Sequence, residues 1–174
     1  VQSFGIRIQH IDDMVFFVND TVTTLKNHFD MEYTDVDRIG PYAELSLKNL
    51  VQGLEITLKG RYYYYLRLAN GERPWQMPDI DISLRAAYKL TKNISFGLET
   101  YFLNSCYAKE YDAVGFHENK MRAVVDVDLF GEYQFGEKFS VFLYLNNIAC
   151  QRYYIWNNYR AQGFNALAGL RYVF

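Results

Sequence analysis

Only two of the 174 residues are cysteine, Cys106 and Cys150, and only three are proline. So few cysteines exclude a dense disulfide framework, and no CxxC or Cys/His spacing offers a tetrahedral zinc site. Scarce proline beside 50% hydrophobic and 22% charged residues excludes a disordered or collagen-like chain. Positive charge is not in excess either. With 18 Lys+Arg against 20 Asp+Glu and a pI near 5.9, no global pull toward nucleic acid exists. Long hydrophobic runs are also missing: stretches such as Met14 to Val18 fall far short of the roughly 18 to 20 apolar residues of a spanning helix. That last absence does not touch a transmembrane barrel. There only alternate residues meet lipid, and a mean hydropathy of −0.20 is ordinary.

What the chain does hold is aromatic residues, 16 Tyr, 13 Phe and 2 Trp, set in a period-two pattern. Phe164, Ala166, Ala168, Leu170, Tyr172 and Phe174 fall on one face, with Asn165, Leu167, Gly169, Arg171 and Val173 opposite. Phe139, Val141, Leu143 and Leu145 repeat this pattern, as do Ala123, Val125, Val127, Leu129, Tyr133 and Phe135 against Arg122, Asp126, Asp128 and Glu132. Further back, Ile94 to Phe102, Ile80 to Leu90 and Leu54 to Leu66 alternate in the same way. The spacing predicts six strands between residues 54 and 174, each with one greasy face; the opposite face carries formal charges in most of them, whereas over 139–146 it is Ser140, Phe142, Tyr144 and Asn146.

The first third is less regular. Odd positions from Phe29 to Leu47 keep a single phase, broken by Asp35, Asp37 and Pro41, so 28–48 reads either as one long strand or as a hairpin near Asp35 to Gly40. One strand is preferred, because the hairpin gives an odd number. Residues 3–18, with Phe4, Ile6 and Ile8 in phase, supply another, making eight in all.

Short turns at 49–53, 91–93 and 136–138 alternate with longer connections at 19–27, 68–78, 104–121 and 150–162. Outer-membrane barrels show this asymmetry, with short periplasmic turns and long extracellular loops. Tyr62, Tyr64, Tyr88, Tyr133, Phe135, Phe139, Tyr172 and Phe174 stand near strand ends, where interfacial girdles form. The competing reading is a soluble, lipocalin-like barrel whose apolar face points inward. Strands of ten or more residues favour the membrane, since soluble strands average about five or six.

The segments Val141 to Ile148, Tyr153 to Trp156 and Gln162 to Phe174 resemble the carboxyl end of TonB-dependent outer-membrane receptors, specifically those of Bacteroidetes-type bacteria. Weaker resemblance runs through Phe16 to Asp20, Lys59 to Tyr63 and Arg73 to Asp79. It implies an all-β, antiparallel transmembrane β-barrel, with 1–174 as one domain or as the C-terminal piece of a 22-stranded barrel. It also implies location in the bacterial outer membrane and TonB-dependent uptake of an iron chelate, cobalamin or a glycan. Implied partners are outer-membrane lipid, the barrel-assembly machinery acting on the strand ending at Phe174, and TonB through a plug domain that this sequence lacks. Val1 is not an initiator methionine and no signal segment precedes it, which points to a C-terminal piece. The alternative is a complete eight-stranded barrel with a structural or adhesive surface role, its interior filled by side chains.

Candidate ligand contacts are Trp75, Tyr153, Tyr154, Trp156, Asn157, Tyr159 and Arg160, because aromatics mixed with amides suit sugars and chelates. The same residue types equally suit loops packing on one another. No cofactor or metal is expected, and no enzyme. A hydrolase would need a Ser–His pair, and no spacing brings His10, His28 or His117 to Ser95, Ser105 or Ser140. Strand phase sets Cys106 and Cys150 on opposite faces, so both are expected as free thiols.

Overall fold

The structure is a computed structural model that describes residues 2–20 and 28–174. Of the expected connection 19–27, residues 21–27 lie outside the described residues.

The eight expected strands form one antiparallel meander. They are β1 (Gln2–Asp20), β2 (His28–Lys48), β3 (Leu54–Tyr62) continued by β4 (Tyr64–Leu68), β5 (Ile80–Lys89), β6 (Ile94–Leu103), β9 (Val124–Phe135), β10 (Phe139–Asn146) and β13 (Asn165–Tyr172). The connection between β6 and β9 folds into a hairpin of β7 (Cys106–Tyr111) and β8 (Phe116–Met121), and the one between β10 and β13 carries the small hairpin of β11 (Tyr154–Trp156) and β12 (Tyr159–Arg160). Across the sheet the order is β13, β10, β9, β6, β5, β3, β2, β1, then β7 and β8.

Register turns the sequence alternation into two continuous surfaces. One cross-strand row reads Leu47, Ile56, Ala86, Leu98, Leu129, Leu145, Ala166 through seven strands. The adjacent row, on the other face, reads Ser46, Thr57, Arg85, Glu99, Asp128. Opposed residues in an antiparallel pair share a face, so a one-residue slip would exchange the two surfaces along a whole strand. On the polar face Lys59 meets Glu44 at 3.2 Å, Arg171 meets Glu132 at 3.0 Å, and Arg61–Asp81 and Arg85–Glu99 pair likewise. Rings cover its glycines: a Cβ on Gly97 would lie 2.4 Å from the Phe130 ring, and one on Gly169 2.4 Å from that of Phe142. A side chain at Gly169 would displace the Phe142 ring, and one at Gly97 would also meet the Ala86 carbonyl oxygen at 2.3 Å.

Residues 28–48 are a single strand, as the phase of the odd positions requires. Pro41 sits inside it, opposite Ile6. Lacking an N–H, Pro41 leaves a gap in the ladder on its other side. The strand expected over 54–67 breaks there at Tyr63, whose N–H turns to the Asp79 carbonyl at 2.8 Å. A second irregularity lies in β1, where Asp12 and Asp13 oppose Asp35 alone and Asp13 adopts φ 50°. This bulge reverses the phase of β1. Below it Phe4, Ile6 and Ile8 share the face of Ala43, Pro41 and Ile39, while above it Met14, Phe16 and Val18 turn to the opposite face.

The buried core lies at the end of the sheet that carries the long connections. Phe16, Val18, Val36 and Trp75 form it, with Met14, Tyr65, Leu68, Met77, Tyr107 and Tyr111 packed around. The apolar face of the sheet stays open among the described residues: Leu58 is 41%, Leu143 45% and Leu170 69% exposed.

Candidate functional site

Four segments converge above the long-connection end: the tops of β1 and β2, the 69–79 connection, the β7–β8 hairpin, and the 147–163 connection. The hairpin arises because Asp112 closes a tight turn, its side chain accepting the N–H groups of Val114 and Gly115 at 2.8 and 3.0 Å. β7 then reaches across to pair in parallel with the top of β1, Asn19 opposite Glu110.

At the centre is Lys109, with a side chain only 3% exposed. Its Nζ donates to Glu32 and to Glu72, each at 2.8 Å, and lies 4.7 Å from the centre of the Phe116 ring and 5.0 Å from that of Tyr111. The Tyr111 hydroxyl donates to Glu32 at 2.7 Å, and the Trp75 indole donates to Glu72 at 2.8 Å. Burial works against the charged lysine, but its bonds to Glu32 and Glu72 prevail and raise its pKa. Glu72 shows the mirror image: burial opposes its charge, and the bonds from Lys109 and Trp75 hold its carboxyl below the ordinary value of 4.5.

A second node is the buried Asn157. Its backbone N–H donates to Gln76 Oε1 at 2.7 Å, and its side-chain amide donates to Asn19 at 2.9 Å and to Glu110. Gln76 in turn donates to the Phe17 carbonyl at 2.7 Å. Asn147 anchors the base of the same connection, accepting from Gln151 N–H at 3.1 Å and donating to the Gln151 carbonyl at 3.0 Å.

The seven candidate contact residues therefore do not form one surface. Trp75, Tyr153 and Asn157 are buried, and each gives its polar group to a protein partner. Tyr153 donates to Asp126 and meets the Tyr101 hydroxyl at 2.6 Å; burial and the bond to Asp126 push its pKa up. Trp156 packs edge-on to Phe17 at 5.4 Å, and Tyr159 stacks on Phe29 at 5.0 Å, though both keep an exposed side. Tyr154 and Arg160 are exposed and opposed across the β11–β12 hairpin.

Between β8 and the 147–163 connection lies a cavity of about 340 Å³. It brings Tyr153, Tyr154 and Asn157 together with Lys120, Arg122 and Arg152. Sequence reasoning missed these three cations, which sit in two connections about thirty residues apart. It missed the β7–β8 hairpin too, although Asp112 and Gly115 between two short alternating runs are a turn signal.

The serines and histidines stay apart. His10 bonds Asp37 at 2.6 Å, His117 bonds Glu110 at 2.8 Å, and Ser140 donates to Glu132 at 2.6 Å. Cys106 is buried and Cys150 exposed, both free, and burial pushes the Cys106 thiol up to about 11.

Comparison with known proteins locates the fold. The chain is similar to FpvA, the pyoverdine outer membrane receptor of Pseudomonas aeruginosa, with a TM-score of 0.77 and 16% identity over 99% of this chain and 27% of that one. It is similar to the FrpB iron transporter of Neisseria meningitidis, at a TM-score of 0.70 and 14% identity over 98% of this chain and 28% of that one. For Fiu, a ferric-catecholate import receptor of E. coli, the values are 0.67 and 14% over 99% and 25%. No protein-family profile and no curated protein matches the chain. The fold is thus that of outer-membrane receptor β-barrel strands, and the chain spans about a quarter of the length of these structures. These receptors lend the narrower Bacteroidetes-type expectation no support.

Proposed function

We propose that these residues form part of the wall and outer loops of a TonB-dependent receptor barrel in the bacterial outer membrane. The apolar face of the sheet meets lipid. The ion-paired face lines the interior, and the long connections form the outer mouth. The observation that carries this reading is a two-faced sheet whose lateral edges, β1 over most of its length and β13, are unpaired among the described residues. Lipid cannot satisfy open edges, at a cost of several kcal/mol per unpaired group, so further strands complete the barrel. A complete eight-stranded barrel would instead need β1 to pair with β13, and the sheet order sets these at opposite ends. A soluble barrel would bury the face that carries Leu58, Leu143 and Leu170.

An iron chelate is the favoured cargo class, because similar structures are named as receptors or importers of pyoverdine, iron and ferric catecholate. TonB would act through a plug domain outside these residues, and the strand ending at Phe174 would engage the barrel-assembly machinery. Candidates for ligand contact are Trp75, Tyr153, Tyr154, Trp156, Asn157, Tyr159 and Arg160, of which Tyr154, Trp156, Tyr159 and Arg160 are exposed. The test is an immunoblot of cell fractions with an antibody to the 150–162 connection, joined to iron-limited growth with and without TonB. A band several times larger than 20.5 kDa in the outer membrane, with growth lost equally on deleting either gene, is the expected result. A soluble band, or growth indifferent to TonB, contradicts the reading.

A further inference from the structure

One edge of β1 pairs with β2 along nearly the whole strand, while the other meets a strand only at its top, where Asn19 and Asp20 pair with β7. The backbone groups that point to this second edge can be identified. Gln76 reaches the Phe17 carbonyl from that side at 2.7 Å, so Phe17, opposite Met31, turns outward. Counted along β2, Pro41 has the parity of Met31, so Ile6 opposite it turns outward too, as suits a partner without an N–H to exchange. Phe4, Ile8 and His10 follow Ile6 below the bulge, and Val15 and Asn19 follow Phe17 above it. At Asp12–Asp13 the outward alternation slips by one residue. A regular strand paired below that point falls out of register above it.

The chain itself closes the upper part of this edge. Besides the bond of Gln76 to Phe17 and the pairing with β7, Asn157 donates to the Asn19 side chain at 2.9 Å and Trp156 packs on the Phe17 ring. Gln76 N–H also donates to the Tyr107 carbonyl at 2.7 Å, which ties the 69–79 connection to β7. The lower part is bare. Ile6 is 67% and Ile8 77% exposed, against 41% for Leu58, which has a strand on each side. Just under the bulge a polar belt crosses the apolar face: His10 bonds Asp37 at 2.6 Å, and Arg67 stands opposite Asp37. Below that belt lies a bare length, Gln2 to Ile11, close to the nine to eleven or so residues with which a strand crosses the hydrocarbon.

We infer that the barrel wall steps down at β1: an antiparallel strand of the same receptor pairs with Phe4, Ile6, Ile8 and His10 across the hydrocarbon and leaves at the Asp12–Asp13 bulge, above which Gln76 and β7 take the edge in its place. Its side chains are apolar beside Phe4, Ile6 and Ile8 and polar beside Arg7 and Gln9, because paired strands share their faces. The β13 edge of a second copy suits this place less, since matching the polar faces would set Arg171 on the side of Arg7. The inference rests on the receptor-barrel reading and adds the length and facing of the strand that continues the wall.

The test is made in the whole receptor in its own outer membrane, where proline at an outward position removes one free-edge N–H and spares the bonds to β2. Ile6→Pro and Ile8→Pro should lower the heat-modifiable folded form at least about fivefold relative to Ile6→Ala and Ile8→Ala, because lipid leaves the broken pairing unsatisfied. Val15→Pro should stay within about twofold of Val15→Ala, since the Val15 N–H, between bulge and cap, has no partner among the described residues. Hydrogen exchange in the parent receptor reads the same step without a substitution: the Ile6 and Ile8 amides should exchange at least about a hundredfold more slowly than that of Val15. Proline tolerated at 6 and 8 as at 15 means that no strand pairs below the bulge, and proline equally damaging at 15 means that pairing continues past it; either overturns the step, as do equal exchange rates. TonB-dependent iron import beside such a result leaves the uptake reading standing. The expected proline pattern in a receptor whose import ignores TonB does the reverse.

Discussion

The polar face of the sheet and the loop cluster above it use the same residue types for different ends. On the sheet, Lys59–Glu44 and Arg85–Glu99 join neighbouring strands through side chains about half exposed. In the cluster, Lys109 is 3% exposed and ties two carboxylates from elements 37 and 77 residues away. Exposed pairs contribute little, so the sheet does not depend on them for its shape; backbone ladders and the apolar rows set that. A buried lysine with two acidic partners is different in kind. Removing it strands charges, and the 69–79 connection that carries Glu72 has no ladder to fall back on.

Breaking the cluster should therefore cost most. Trp75→Ala removes a ring that is 1% exposed in the loop core and should cost about 4 kcal/mol of local stability. Hydrogen exchange of the 69–79 and 104–121 amides would read it, with no change expected in strands β9 and β10. Lys109→Met keeps the volume but leaves Glu32 and Glu72 unpaired, at about 3 kcal/mol by the same readout. On the sheet, Leu84→Arg should cost about 2 to 3 kcal/mol in urea unfolding from lipid vesicles, and Ser83→Arg, one residue along and on the other face, under about 1 kcal/mol. Lys59→Gln should cost about 0.5 kcal/mol.

Acid gives a reversible form of the same comparison. Glu72 has a lowered folded pKa, so its contribution is complete above the ordinary value of 4.5 and is lost as pH falls through the lowered value. Lys109, raised when folded, contributes fully below its ordinary value of 10.5 and loses that only at higher pH. Loop amides should exchange faster as pH falls below about 4.5, after correction for intrinsic rates, while sheet amides hold steady.

That contrast also explains what could be read from the residues alone. Alternation gave the eight strands, the long β2 and the two-faced sheet, because strand facing is a local property with a period of two. The bulge at Asp12–Asp13 escaped notice, since an inserted residue is visible only against its partner strand. The cluster was illegible for the same reason at longer range. Nothing near Lys109 announces Glu32 or Glu72, and burial, which decides whether Trp75 is a contact or a core residue, is a property of all four segments together. Tyr154, Trp156, Tyr159 and Arg160, all exposed, could be singled out together because they are neighbours in sequence. Lys120, Arg122 and Arg152 were not, because two connections must fold before they meet.

The central claim is that one face of this sheet meets lipid and the other does not. Single cysteines introduced in turn at residues 81–87, in a chain with Cys106 and Cys150 replaced by serine, can carry a nitroxide label in reconstituted membranes. Accessibility to oxygen against a water-soluble nickel chelate then reports facing position by position. The account predicts a period of two, with oxygen favoured at residues 82, 84 and 86 and the chelate favoured at 81, 83, 85 and 87. Equal accessibility along the strand, or the opposite phase, would contradict it.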